Sequence, residues 1–447
     1  MTSVPPRLRL HVVAWDLAAD SPAQPRLAAL VRAFVRHGSE VTLWTEHAPG
    51  EWAGGVRGTG RLDVRVVADP VFRTYRWLGS LLGPAIAAPV AAAPAATRTA
   101  APSRPGLARR LWRLGSRAHN ALLFPDPQRW WASRVRRRLL AALRPDDVVL
   151  SCARPESALL VGAAAQRRGA RWWADFADGW CFQGLRAEAM TPGARRDREC
   201  ALEQRLVAAA DVVSTVNDEL AQYFGGVRSG RPVAVYLNLV PDEFADLPPP
   251  AQRVAGALPT LGYFGRLSLS DPERSLEPLL AVLRDDALSP APMRARFCFL
   301  GAYSPRDLAE LGELRRLGHD VEIAPALSRE QLAARRSEFD GMLMLGSNHQ
   351  RGTSSKLLDS LGLGLPVLAF APVPSAAHAL IAETGCGEVI EIPGAPDAAR
   401  WRRFLRGLHG PDYRVEPRVR ARYTSASLLP GLLEKITAWL HAPPAPR

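Results

Sequence analysis

No run of 18 or more apolar residues occurs anywhere in the 447-residue chain, so no segment has the length and composition of a membrane-spanning helix. The N-terminus, MTSVPPRLRLHVVAWD, passes into a strand pattern without the apolar core of a signal peptide, and the expected location is the cytosol. Cysteine is scarce. Cys152, Cys181, Cys200, Cys298 and Cys386 are odd in number and contain no CxxC pair, which argues against a disulfide framework and against a structural zinc site. Lysine is scarcer still, with only Lys356 and Lys435 among 57 basic residues. A lysine kept in so arginine-rich a chain invites the question of what a compact ammonium does there that a guanidinium would not. DxD, HExxH and Walker patterns are all missing and the nine histidines form no ligand spacing, so no resident metal is expected. Repeats of 20 to 50 residues are missing too. What is there, 47% apolar and 23% charged residues, is the composition of a soluble globular protein of two or three domains.

The formal charge of +13 is concentrated in one stretch. Residues 73–144 hold 14 arginines against a single acid, Asp126, and the rest of the chain balances. The stretch opens with an uncharged Ala-rich run broken by Pro84, Pro89 and Pro94, which excludes a regular helix there. Beyond it Leu107, Leu111, Trp112, Leu114 and Leu122 alternate with Arg109, Arg110, Arg113 and Arg117. Two readings stand: a helix lying on an anionic membrane surface, or an Ala/Pro linker followed by a solvated basic helix. Nucleic-acid binding would account for the same charge, but no zinc-finger or RNP signature accompanies it.

Along the chain, short apolar runs alternate with helical periodicity. LRLHVVAW, EVTLWTE, LDVRVVA, DVVLSC, ARWWADFAD, DVVSTV and PVAVYLN read as strands, with helices between most of them. The Pro-rich polar stretch 241–259 reads as an interdomain linker. A second series follows, with TLGYFGRL, ARFCFLG, VEIAPA, GMLMLG and PVLAF as strands. The pattern predicts two doubly wound parallel-sheet α/β domains, 1–240 with its basic insertion at 73–144, and 260–427. A final amphipathic helix in 428–447 is placed to pack back on the first domain. Two such domains leave a cleft, and ligands in open parallel sheets sit beyond the carboxyl ends of the strands.

Two motifs carry chemistry. In GYFGRLS, Gly265 allows close approach of the backbone, and Arg266 at a strand's end offers a planar fork suited to a diphosphate. In RGTSSKLLDSLGLGLPVLAF, a loop containing Gly352, Thr353, Ser354 and Ser355 feeds into a helix, gathering hydroxyls and free N–H groups at its positive end. Lys356 lies at that end. Asp359 follows on the same helical side, placed to accept hydrogen bonds from ribose hydroxyls.

GTSSKLLDSLGLGLPVLA resembles the donor-site segment of family 4 glycosyltransferases. FPDPQRWW, VVLSCARPESALLVG, WWADFADGW, LEQRLVAAADVVSTVNDELA, VYLNLVPDEF and GYFGRL resemble further family segments in the same order. The resemblance implies the GT-B fold, two Rossmann-like domains facing across a cleft, and transfer of a sugar from a nucleotide donor with retention of configuration. It implies that Arg266 and Arg274 bind the donor diphosphate together with Gly265, Ser354, Ser355 and Lys356, that Asp359 holds the ribose, and that the base lies near Pro325–Leu327. Arg351 stands where the family has the first acid of its E-x7-E element. With no DxD, these cations would neutralise the leaving diphosphate without a metal or other cofactor.

In the first domain WADFADGW resembles an element of branches acting in envelope polysaccharide synthesis. Asp175 and Asp178 fall at a strand's end, where either could orient the acceptor hydroxyl, Asp178 being the better placed to accept its proton. Ala177 stands where other branches place a histidine. A saccharide or lipid-linked acceptor at the inner membrane face is the expected partner. A GT-B sugar-nucleotide epimerase and a non-catalytic binding module remain the alternatives.

Overall fold

The computed structural model describes all residues except 1–6, 16, 18–23, 50–52, 54–55, 57, 70–123, 178, 182–192, 230, 249–256, 272, 349–353, 409, 411–412, 414 and 443–447. The chain forms two units, Met1–Tyr236 with Leu429–Arg447, and Leu237–Leu428.

The first unit is built from β1 (Arg9–Val13), α1 (Gln24–Arg36), β2 (Glu40–Thr45), β3 (Arg61–Val66), α2 (Arg129–Ala142), β4 (Val148–Cys152), α3 (Ser157–Gln166), β5 (Arg171–Phe176), α4 (Gly193–Ala209), β6 (Val212–Thr215), α5 (Asp218–Val227) and β7 (Ala234–Val235). Its seven strands are all parallel, in the order β3-β2-β1-β4-β5-β6-β7. Strands such as β4 and β5 are buried nearly throughout because helices cover both faces of a parallel sheet. Trp172, Trp173 and Phe176 of β5 are fully buried on the two sides of it. The last helix of the chain, Ser425–His441, belongs mainly to this unit, where the Leu440 carbonyl accepts from Arg171 at 2.7 Å.

The second unit contains α6 (Asp242–Ala245), β8 (Thr260–Phe264), α7 (Glu277–Ala287), β9 (Arg296–Leu300), α8 (Pro305–Arg316), β10 (Asp320–Ala324), α9 (Arg329–Arg335), β11 (Gly341–Leu345), α10 (Ser355–Leu363), β12 (Val367–Ala371), α11 (Ala376–Thr384), β13 (Gly387–Glu391), α12 (Ala398–Gly407) and α13 (Pro417–Ala421); the chain-terminal helix is α14. Its six parallel strands run β10-β9-β8-β11-β12-β13. In both sheets the order runs outward from the first strand to one side, then jumps back to continue on the other. Ligands of such sheets bind at the carboxyl ends of the two strands flanking that reversal. In the second unit those strands are β8 and β11.

The stretch 241–259, read as a linker, contains the short helix α6, which packs on the second core. Val240 just before it and Phe244 of α6 are fully buried, in contact distance of where a Cβ on Gly362 would lie. Phe244 inside this polar, Pro-rich run, with Val240 at its border, supplies burial that a free linker lacks.

Candidate functional site

Both elements flanking the reversal in the second unit bring basic groups to the same point. β8 ends at Phe264, and Gly265 follows with φ +109°, a conformation that only glycine adopts without strain. Its N–H donates to the Leu300 carbonyl at 2.9 Å, and a Cβ on Gly301 would fall 1.9 Å from the Gly265 oxygen. Glycine at 301 is therefore what lets the ends of β8 and β9 approach so closely. The turn at Gly265 delivers Arg266 to the surface, where its guanidinium makes no ion pair among the described residues.

Lys356 reaches this turn from the start of α10. Its ammonium donates to the Tyr263 hydroxyl at 2.8 Å, sits 4.2 Å from the centre of the Tyr263 ring, and lies 3.5 Å from the Arg266 carbonyl. A Cβ on Gly265 would come within 3.1 Å of the lysine stem, a second reason for glycine there. Tyr263, fully buried, in turn donates to the Arg266 carbonyl at 2.8 Å. Arg274 donates to Ser270 Oγ at 2.7 Å and keeps Asp271 at 3.9 Å. Burial first, and the positive charge of Arg274 second, hold the Lys356 ammonium well below the usual lysine range. Among the described residues no carboxylate forms an ion pair with Lys356. Lys356 and Arg266 thus meet with no carboxylate ion pair to either among the described residues, which is the electrostatic condition for binding an anion.

The remaining residues anticipated in this unit lie close by. Ser354 caps α10, its hydroxyl accepting from the Lys356 N–H at 3.3 Å, and Ser355 opens the helix. Asp359 is half-buried, 3.6 Å from the Arg329 guanidinium of α9. Burial raises its pKa, opposed by the charges of Arg329 and Lys356. Arg351, Gly352 and Thr353 lie outside the described residues. Tyr263 and Arg329 were not anticipated from the sequence. The only signal for Tyr263 was a hydroxyl-bearing residue in an otherwise apolar strand, and for Arg329 there was none.

In the first unit Asp178 lies outside the described residues. Asp175 is buried and turned into the fold. Its carboxylate receives both terminal nitrogens of Arg26, Nη2 at 2.7 Å and Nη1 at 2.5 Å, as well as the Ser214 hydroxyl at 2.5 Å. Arg26 is itself fixed by Tyr236, whose carbonyl accepts from Nε at 3.0 Å and whose ring lies 4.3 Å from the guanidinium carbon. Both Asp175 oxygens are thus occupied by internal donors. The scattered cysteines, whose odd number argues against a disulfide framework, make one bond: Cys181 and Cys200 are joined, with Cα atoms 5.4 Å apart, while Cys152, Cys298 and Cys386 are free. The bond is made because α4 folds back beside the chain that leaves β5, a return that residue spacing alone does not disclose.

No protein-family model and no curated protein matches the chain. Its fold is shared by solved glycosyltransferases. Sucrose-phosphate synthase from Thermosynechococcus elongatus is 14% identical over 97% of this chain and 98% of its own, with a TM-score of 0.56. A glycosyltransferase from Rickettsia africae is 11% identical over 98% and 100%, with a TM-score of 0.56. WaaG, a glycosyltransferase involved in lipopolysaccharide biosynthesis, is 15% identical over 97% and 100%, with a TM-score of 0.55. The likeness is one of fold: the chain has the two-sheet α/β architecture of GT-B glycosyltransferases. Among the described residues no helix is long and apolar enough to cross a membrane.

Proposed function

We propose that this protein is a retaining glycosyltransferase of the family 4 type, moving a sugar from a nucleotide donor to a saccharide or lipid-linked acceptor. The observation that carries this reading is the meeting of Lys356, Arg274 and the Gly265–Arg266 turn around Tyr263 at the strand-order reversal of the second unit. Breaking the bond between the sugar and the diphosphate leaves the second phosphate with added negative charge. Arg266, Arg274, Lys356 and the N–H groups opening α10 stabilise that charge in the transition state without a metal ion. Asp359 orients the ribose, with Arg329 beside it. Asp178 orients the acceptor hydroxyl and receives its proton, whereas Asp175 holds Arg26 and shapes the sheet edge. The basic stretch 73–144 gives the acceptor side an affinity for an anionic membrane surface, as a lipid-linked acceptor of envelope polysaccharide synthesis requires.

The test is a thermal-shift panel of UDP-, GDP-, ADP- and dTDP-sugars, since a ligand that binds only the folded state raises the melting temperature. The stabilising donor is then incubated with candidate acceptors in EDTA. One nucleotide should stabilise the protein and transfer should persist in the chelator. No shift with any nucleotide, or transfer that requires added metal, overturns the reading.

A further inference from the structure

The buried acid of α4 has no part in the donor site. Glu203 is fully enclosed, on the apolar stripe formed by Leu202, Leu206 and Val207. Its carboxylate accepts from the Trp180 N–H at 2.8 Å, from the Cys181 N–H at 3.2 Å on both oxygens, and from the Tyr223 hydroxyl at 3.2 Å. Burial pushes its pKa up, opposed by these hydrogen bonds, and the nearby Glu156 raises it further. Three residues earlier on the same side of the helix, Cys200 is bonded to Cys181. One helix therefore grips Cys181 twice, through a carboxylate and covalently, and its neighbour Trp180 once, through the same carboxylate.

The residues gripped are those directly beyond the carboxyl end of β5, the ligand-binding edge of a parallel sheet. The other end of that segment is fixed in the sheet, where the Phe176 carbonyl accepts from the Thr215 hydroxyl at 3.0 Å. Trp180 is buried with Phe176, Leu202 and Leu206 in one cluster. Only residues 177–179 lie between the two anchorages. A core needing only mechanical stitching would be served by apolar contacts. A desolvated carboxylate aimed at two consecutive main-chain N–H groups instead sets the path of the backbone.

We propose that Glu203 and the Cys181–Cys200 disulfide form a two-point latch that positions the segment after β5 for the acceptor, and that a dithiol reductant opens it and lowers sugar transfer. This rests on the transfer reading above. A thiolate of the reductant attacks one sulfur of the cystine and the other leaves as a thiolate that takes a proton. The second thiol of the reductant then closes its own disulfide, so two electrons pass from reductant to protein. Glu203 acts as a positioning residue and the donor groups of the second unit are unaffected.

The test uses the full chain, oxidised, reduced with dithiothreitol, and as C181S/C200S, E203A and E203Q. Alkylation before reduction should leave Cys181 and Cys200 unlabelled. Hydrogen exchange at residues 180 and 181 should rise on reduction and in C181S/C200S and E203A, and much less in E203Q, whose amide oxygen still accepts. Transfer should fall about ten- to hundredfold with the acceptor KM raised, while donor affinity stays within about twofold. Should E203A fail to fold, E203Q and the reversible reduction of the native chain carry the comparison. If no donor supports transfer, the exchange data alone decide: increased exchange sustains the latch while the transfer reading falls. Ready alkylation without reductant, or unchanged exchange and turnover across the variants, overturns the latch.

Discussion

Replacing Lys356 with Met separates function from stability, because the two effects have opposite sign. Met has nearly the same length and volume, so the packing against Gly265 and the Tyr263 ring survives, while the ammonium is lost. The free protein gives up a hydrogen bond to Tyr263 at 2.8 Å and a cation–π contact at 4.2 Å. It also sheds a charge that burial and Arg274 disfavour. Without a paired carboxylate these contributions offset, and the variant is expected to equal or exceed the native chain by up to about 1–2 kcal/mol. Binding of a nucleoside diphosphate loses one charge-assisted hydrogen bond, about 1.5–3 kcal/mol, or roughly 10- to 150-fold in Kd. A depressed lysine pKa also fixes the pH response. Between the folded value and the unfolded value of about 10.4, the unfolded chain binds a proton that the folded chain has released. Native stability relative to K356M therefore rises with pH through that window. Urea unfolding of both proteins at neutral and alkaline pH, with calorimetric titration of the diphosphate, measures all three quantities. Unaltered diphosphate affinity, or a variant less stable by the same amount at every pH, would refute the assignment of Lys356 to an anion site.

Arg26→Met strands the Asp175 carboxylate in the core and is expected to cost about 3–5 kcal/mol of unfolding free energy, read from the urea midpoint, with nucleotide affinity unchanged. A loss below about 1 kcal/mol would show that Asp175 reaches water or substrate instead. Asp126, buried and near Glu156, has its pKa raised to about 7 by burial first and by Glu156 second. The folded chain then holds a proton that the unfolded chain releases near pH 4, so this group's contribution to stability is present in acid and lost as pH rises toward 7. Asp126→Asn should flatten the stability profile between pH 4 and 7, and an unaltered slope would contradict the raised value.

What the sequence discloses depends on how locally each feature is determined. The strands and the Gly265–Arg266 turn are legible because apolar runs and a glycine at a strand's end are properties of a few consecutive residues. Lys356 stands out by rarity and by its place beside a serine cap, again a local signal. Asp175 was readable only as an acid near a strand's carboxyl end. Its partner Arg26 lies 149 residues away in the sequence, on a helix whose face toward the sheet no periodicity assigns to that strand. Five of the six β5 residues are buried, so alternation along the strand could not say which way the carboxylate points. The clue lay elsewhere, in the fact that an acid within a doubly covered strand requires an enclosed cation. Glu203 yields to the same logic. It occupies the stripe shared by Leu202, Leu206 and Val207, where a carboxylate is tolerated only if buried donors meet it. An acid at an apolar position thus marks where the chain returns upon itself, as Asp175 on β5 and Glu203 on the helix that follows it both do.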